Sequence, residues 1–157
     1  MVVSESELVE AVARDRAAGR TVAFANGCFD LLHVGHVRYL QGAAAEADSL
    51  VVAVNNDESV RGLKGAGRPI LPEQDRAELV AALRGVRFVL VFGDATVERL
   101  LRLIRRDVHC KGTDYTVDSV PERAVVQSYG GRTAIVGDPK DHNTRELIAR
   151  IAGSPRE

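Results

Sequence analysis

Cysteine is scarce in this sequence, with only Cys28 and Cys110 present. Two thiols cannot build a framework of disulfides or fill a four-ligand metal site. An excess of either charge is also missing, because the formal net charge is −1. No global basic field argues for DNA or RNA as a partner, although a local positive pocket is compatible with that balance. Apolar runs long enough to cross a bilayer are absent. The acidic start MVVSESELVE lacks the charged-then-apolar layout of a signal peptide. These absences predict a cytoplasmic protein that engages neither membrane nor nucleic acid. Repeats, low-complexity segments and linkers are missing too, so the length fits a single domain better than two.

What is present is an ordinary globular composition, 45% hydrophobic and 27% charged. A chain of this size buries roughly two-thirds of its unfolded surface. Short β-rich runs alternate with helical stretches. Ser4 with Glu7 reads as a capping box opening a helix to about Ala17, which Gly19 closes. Strands are expected over 21–26, 49–55, 86–92, 107–111 and 132–136. The second is nearly all apolar, as a strand covered on both faces should be. Further helices are expected over 34–47, 72–83, 96–105, 120–129 and 143–152. Gly130 and Gly131 stop the fifth of the six helices so expected. Residues 56–71 hold Gly62, Gly65, Gly67 and Pro69 and read as a long loop. The pattern predicts an α/β fold, a Rossmann-like, doubly wound, five-stranded parallel sheet. Residues 1–20 form an N-terminal helical segment, 21–152 the main domain, and 153–157 a frayed tail. Ligands of such sheets bind beyond the carboxyl ends of the strands, where the strand order switches.

The strongest motif is GCFDLLHVGH, Gly27 to His36, between the first strand and the next helix. A strand, a Gly-bearing turn and a helix N-terminus together favour an anion, through free N–H groups and the helix dipole. His33 and His36 are three residues apart and can both face that anion. Gly35 between them leaves room for a ligand near the backbone. A histidine donating to a phosphate oxygen stabilises charge that builds up in phosphoryl or nucleotidyl transfer. Loss of one such donor typically costs about 100- to 1000-fold in rate.

GCFDLLHVGH resembles the HxGH motif of the cytidylyltransferase-like nucleotidyltransferases. The similarity continues through NNDESVRGLKGAGRPILPEQDRAELVAAL, HCKGTDY and AVVQSYGGR, and covers about residues 21 to 151. Lys64 to Ile70 and Lys111 to Tyr115 look most like the adenylyltransferases that make ADP-heptose from heptose 1-phosphate and ATP. The resemblance implies an enzyme that transfers AMP from ATP to a sugar 1-phosphate and releases pyrophosphate. Such units occur alone or fused to a sugar kinase, and no kinase segment lies within this sequence. The resemblance also implies a homodimer. Mg²⁺ would arrive as a cofactor with the triphosphate, held by phosphate oxygens and water, since no side-chain cluster reads as a metal site.

By the same resemblance His33 and His36 hold the triphosphate, and Asn26, Gly27, Cys28, Phe29 and Gly35 shape the nucleotide pocket. No base accompanies Cys28, so its thiol reads as packing rather than as a nucleophile. Lys64 is expected to reach over a phosphate as a flexible point charge, with Arg68 and Arg61 nearby. Arg76 opens a helix, where a cation is unfavourable on dipole grounds, yet the family pattern puts a phosphate-binding arginine there. Lys111 and Gly112 are expected to line the nucleotide site. Asp114 and Tyr115 follow as acceptor-binding candidates. Asp57 can contact the acceptor or cap a turn. Asp30 can brace the loop, touch the acceptor or help place the metal. His109 and Cys110 read as structural, one facing the core and the other an edge.

The chain departs from the family pattern at the last helix. The family's Ser-Thr-Thr run is replaced by Asn143, Thr144 and Arg145. Asn143 is still a good N-cap, Thr144 keeps one hydroxyl, and Arg145 can pair with a phosphate. His142 precedes them and can also reach the site. Two other readings compete. One is a cytidylyltransferase that uses CTP and glycerol 3-phosphate or another alcohol phosphate. The other is a nucleotide-binding regulator with weakened catalysis.

Overall fold

Ser4 starts the first helix as the sequence predicts. Its hydroxyl accepts the Glu7 N–H, and Glu7 reaches back to the Ser4 N–H at 2.7 Å. The structure, a computed structural model, describes residues 1–139 and 142–153. Helix α1 (Glu5–Ala17) leads into β1 (Val22–Gly27), α2 (Val34–Ala44) and β2 (Ser49–Asn55). Next come α3 (Asp57–Lys64), α4 (Glu73–Ala81), β3 (Val86–Phe92) and α5 (Glu98–Ile104). The chain continues through β4 (Val108–Lys111), α6 (Arg123–Ser128), β5 (Arg132–Ile135) and α7 (Thr144–Gly153). The expected frayed tail ends in residues 154–157, which lie outside the described residues. Gly153 itself closes α7.

The five strands are parallel, in the order β3-β2-β1-β4-β5. This is the doubly wound α/β sheet that the sequence predicts. Alternate residues of each strand feed opposite faces. Ala23, Ala25, Val52 and Val54 pack against Leu40 of α2 and Val80 of α4. Val22, Phe24, Val51 and Ala53 pack against Leu8 of α1, Leu100 of α5 and Val126 of α6. Every residue of β2 is buried, which explains its unbroken apolar run. The first residues cover the β3 edge: the Val3 N–H donates to the Val89 carbonyl, and the Val89 N–H donates to that of Met1, both at 2.9 Å. No helix among the described residues is long and apolar enough to cross a membrane.

Three expectations need correction. The loop expected over 56–71 contains α3. Asn56 caps it by accepting the Ser59 N–H at 2.8 Å, Asp57 and Glu58 occupy its first turn, and Arg61 and Lys64 its last. These placements suit the helix dipole. Gly62 is tolerated inside the helix, and Gly65 ends it at φ 92°. The helix expected over 120–129 is shorter, and a 3-10 turn, Val117–Ser119, precedes it. His109 and Cys110 are both fully buried, because β4 lies inside the sheet between β1 and β5. Neither residue faces an edge.

Candidate active site

The strand order reverses between β1 and β4, and a cleft of about 770 Å³ opens at the carboxyl ends of these strands. One wall is the β1–α2 turn. Phe29 and Leu31 take left-handed conformations there, at φ 50° and 57°. That reversal seats the Phe29 ring in the core, edge-on to His36 at 5.4 Å and stacked on Tyr39 at 6.5 Å.

His33 caps α2 and His36 lies in its first turn. Their rings stack at 3.9 Å with an interplanar angle of 24°. The His33 N–H donates to His36 Nδ1 at 3.4 Å. A neutral His36 ring therefore carries its hydrogen on Nε2. Gly35 permits this packing: a Cβ there would lie 3.0 Å from the His33 ring and 3.6 Å from the His142 Cβ. Both imidazoles line the cleft at a helix N-terminus, the place where backbone N–H groups and the dipole attract an anion.

Asp30 sits beneath this turn as a brace. Its carboxylate is buried and accepts the N–H groups of Ile70 and Leu71 and the Arg68 guanidinium at 2.7 to 3.0 Å. Burial alone would raise its pKa. The hydrogen bonds from Leu71, Ile70 and Arg68 outweigh that and hold it below the usual carboxylate range. Of the roles expected for Asp30, this geometry favours the brace, although the residue also lines the cleft. Arg68 lines the cleft with Nε tied to Asp30.

Arg76 and Asp57 lie deeper than the other expected site residues. Neither lines the cleft, and Arg76 is 0% exposed. Its guanidinium donates to the carbonyls of Leu71 (2.9 Å), Cys28 (2.6 Å) and Asn55 (2.8 Å), and to the Asp57 carboxylate (2.8 Å). This arginine clamps the ends of β1 and β2 and the segment before α4 under the site. Helix geometry turns it inward, toward these carbonyls. Arg61 is likewise outside the cleft, whereas Lys64, at the last turn of α3, lines it.

The opposite wall is the segment after β4. Lys111 lies 3.8 Å from Glu122 and 4.9 Å from the centre of the Tyr115 ring. Gly112, Asp114 and Tyr115 line the cleft beside it. The β5–α7 connection completes the ring. Asn143 accepts the Glu146 N–H at 2.9 Å and so caps α7, as the sequence predicts. Thr144 donates to the Asp30 carbonyl at 3.0 Å. His142 and Arg145 also face the cleft.

Sequence reasoning missed Arg38, Thr113 and Asp138. Arg38 pairs with Asp138 at 2.8 Å, and the Thr113 hydroxyl donates to the Asp138 carbonyl at 2.7 Å. Arg38 follows Gly35 by one helical turn, which was the available signal. Asp138 had none, because only the fold brings it beside α2.

Lys64, Arg68, Lys111 and Arg145 therefore surround the cleft together with His33, His36 and His142. Two carboxylates there, Asp30 and Asp138, are paired with arginines. With Arg38 and Asp114 included, five cationic side chains and three carboxylates line the cleft, a local positive balance that the overall net charge conceals. Cys28 lines the same wall. Burial raises its thiol pKa despite the pull of Lys64, Arg76 and Arg68, which suits the packing role expected from the sequence. Among the described residues, no group of three or more His, Cys, Asp or Glu is placed to hold a metal ion.

Residues 24–150 match the family described as cytidylyltransferase-like. The chain belongs to the cytidylyltransferase-like family. Membership makes it a nucleotidyltransferase, and its cleft is lined by His33 and His36. The chain is similar to the bifunctional protein HldE of Alcanivorax borkumensis, at 46% identity over 150 residues, 96% of this chain and 32% of that protein. It is similar to the HldE protein of Geobacter sulfurreducens at 46% identity over 140 residues, 89% of this chain and 29% of that one. This cytidylyltransferase-like chain thus spans about a third of the length of the curated relatives it matches. Its fold resembles the crystal structure of the lipopolysaccharide core biosynthesis protein from Thermoplasma volcanium GSS1. The TM-score is 0.67 at 24% identity, covering 78% of this chain and 100% of that one.

Proposed function

We propose that the chain transfers AMP from ATP to a sugar 1-phosphate of the heptose 1-phosphate type, giving a nucleotide-sugar and pyrophosphate. The observation that carries this reading is the stacked His33–His36 pair at the N-terminus of α2, inside a cationic cleft. The likeness to HldE proteins supports the sugar substrate.

An oxygen of the sugar phosphate attacks the α-phosphorus of ATP in line. The bond from that phosphorus to the bridging oxygen breaks, and pyrophosphate leaves with the electron pair. No covalent enzyme intermediate is required, so catalysis is orientation and charge stabilisation. His33 and His36 donate to triphosphate oxygens as charge builds on them. Asn26, Gly27, Cys28, Phe29 and Gly35 shape the pocket floor. Lys111, Gly112, Asn143, Thr144 and Arg145 hold the nucleotide from the other side. Lys64 reaches over the phosphates, and Arg68, Asp114 and Tyr115 receive the acceptor. Arg76 and Asp57 support the site from beneath. Mg²⁺ neutralises phosphate charge when bound. The donor set fits an ion carried on phosphate oxygens and water, because two of the cleft carboxylates are already held by arginines.

Pyrophosphate release tests the reading, with ATP or CTP offered against heptose 1-phosphate or glycerol 3-phosphate. Turnover is expected with ATP and the sugar phosphate. Preference for CTP and glycerol 3-phosphate would replace this assignment with the alcohol-phosphate one. Tight triphosphate binding without pyrophosphate release on a broad acceptor panel would favour the regulator, which the Asn143-Thr144-Arg145 departure motivates.

A further inference from the structure

His109 belongs to no part of the chemistry described above, yet it touches the cleft through one residue. It is fully buried on β4, opposite Phe24 of β1 in register, and the two rings lie 6.0 Å apart. Two residues further along β1, on the same face as Phe24, Asn26 lines the nucleotide cleft. His109 Nε2 reaches up to Asn26 Oδ1 at 3.1 Å.

An amide oxygen can only accept, so Nε2 must carry the hydrogen. We propose that His109 is a positioning residue: its Nε2–H holds Asn26 Oδ1 and so turns the Asn26 amide nitrogen toward the cleft as a hydrogen-bond donor to the bound nucleotide. The inference rests on the nucleotide reading of the site. Three features support it. Asn26 is partly exposed, and only its oxygen is engaged by another described side chain. His109 Nδ1 has no hydrogen-bond partner among the described residues, as expected of a ring whose one hydrogen is on Nε2. Burial, with Lys111 and Arg106 nearby, lowers the His109 pKa to about 3, so the ring stays neutral and keeps that single donor. A second hydrogen on Nδ1 would put a buried cation beside the Arg106 guanidinium, whose nitrogens also lack partners among the described residues.

Calorimetric binding of α,β-methylene ATP tests the proposal. His109→Leu should weaken binding about fivefold, the worth of one neutral hydrogen bond. His109→Gln supplies a replacement N–H donor and should bind close to wild type. Asn26→Ala should lose as much as His109→Leu, and adding His109→Leu to Asn26→Ala should cost nothing further. Unchanged affinity in His109→Leu, or losses that multiply in the double variant, would overturn the proposal. Long-range ¹H–¹⁵N NMR on the wild-type protein should find His109 neutral with hydrogen on Nε2. The opposite tautomer would overturn it, and this measurement decides even where the leucine variant does not fold. A wild-type protein that binds no triphosphate would sink the nucleotide reading itself. Binding that is intact in wild type and undiminished in His109→Leu would sink only the role of His109.

Discussion

The Thr144 hydroxyl donates to the Asp30 carbonyl at 3.0 Å and joins two segments 114 positions apart in the chain. Asp30 belongs to the turn that leads into α2, and Thr144 is the first residue of α7. The two helix N-termini are thereby held on either side of the same cleft. Each helix start adds N–H groups and a positive dipole end, and the bond sets the gap between them.

Thr144→Val should therefore weaken more than nucleotide contact. Loss of one partly buried hydrogen bond costs about 1 kcal/mol of stability, read from urea unfolding. KM for the triphosphate should rise as well, and Thr144→Ser should restore both. An unchanged urea midpoint would show that other contacts keep the two helix starts together.

Alanine at His33 or at His36 should lower kcat by about 100- to 1000-fold while the circular dichroism spectrum stays that of the wild type. The rings stack on each other, and His36 also touches Phe29 and accepts the His33 N–H, so the His36 variant should lose about 1 kcal/mol of helix-cap stability and still fold. Wild-type turnover in either variant would remove the central element of the proposed mechanism.

Arg76→Ala should unfold at markedly lower urea concentration. Three carbonyls lose a donor, and each unsatisfied buried group costs roughly 1–3 kcal/mol. Arg76→Lys should rescue little, because one ammonium group cannot span partners that the planar fork reaches together. A phosphate-binding arginine would behave differently: the alanine variant would keep its stability and lose only its affinity for substrate. Urea midpoints measured beside KM separate the two cases.

Acid should destabilise the protein partly through His109. Its folded pKa is depressed to about 3, below the unfolded value of about 6.5. Above pH 6.5 neither state binds the proton, and the stability is fully present. As pH falls from there toward 3, the unfolded chain takes up a proton that the folded one refuses. Stability then drops by up to about 1.4 kcal/mol per pH unit. Urea unfolding across pH 7.5 to 4.5 should show a shallower loss in His109→Leu by about one proton. Parallel pH profiles for the two proteins would contradict this assignment.

Much of the fold was legible because it is written in local pattern. The Ser4–Glu7 capping box needs only three residues of spacing, and β2 needs only an unbroken apolar run. The bounds expected for β2 and β3 match those observed. Helix α3 was hidden because it is short and buries only Val60, and because Gly62, Gly65, Gly67 and Pro69 read as loop. The His33-x-Gly35-His36 motif identified the cleft because strand, turn and helix start are contiguous in the chain.

By itself the sequence determined the parallel α/β architecture, the paired imidazoles and the capped ends of α1 and α7, all of which depend on neighbours within a turn or a strand. Only the tertiary structure decided that Arg76 is a buried clamp, that Asp30 is a brace and that His109 stands beneath Asn26. A side chain's chemistry is set by the groups that surround it in space. For these three residues the deciding partners come from other elements of the fold, brought close by the winding of helices over the sheet.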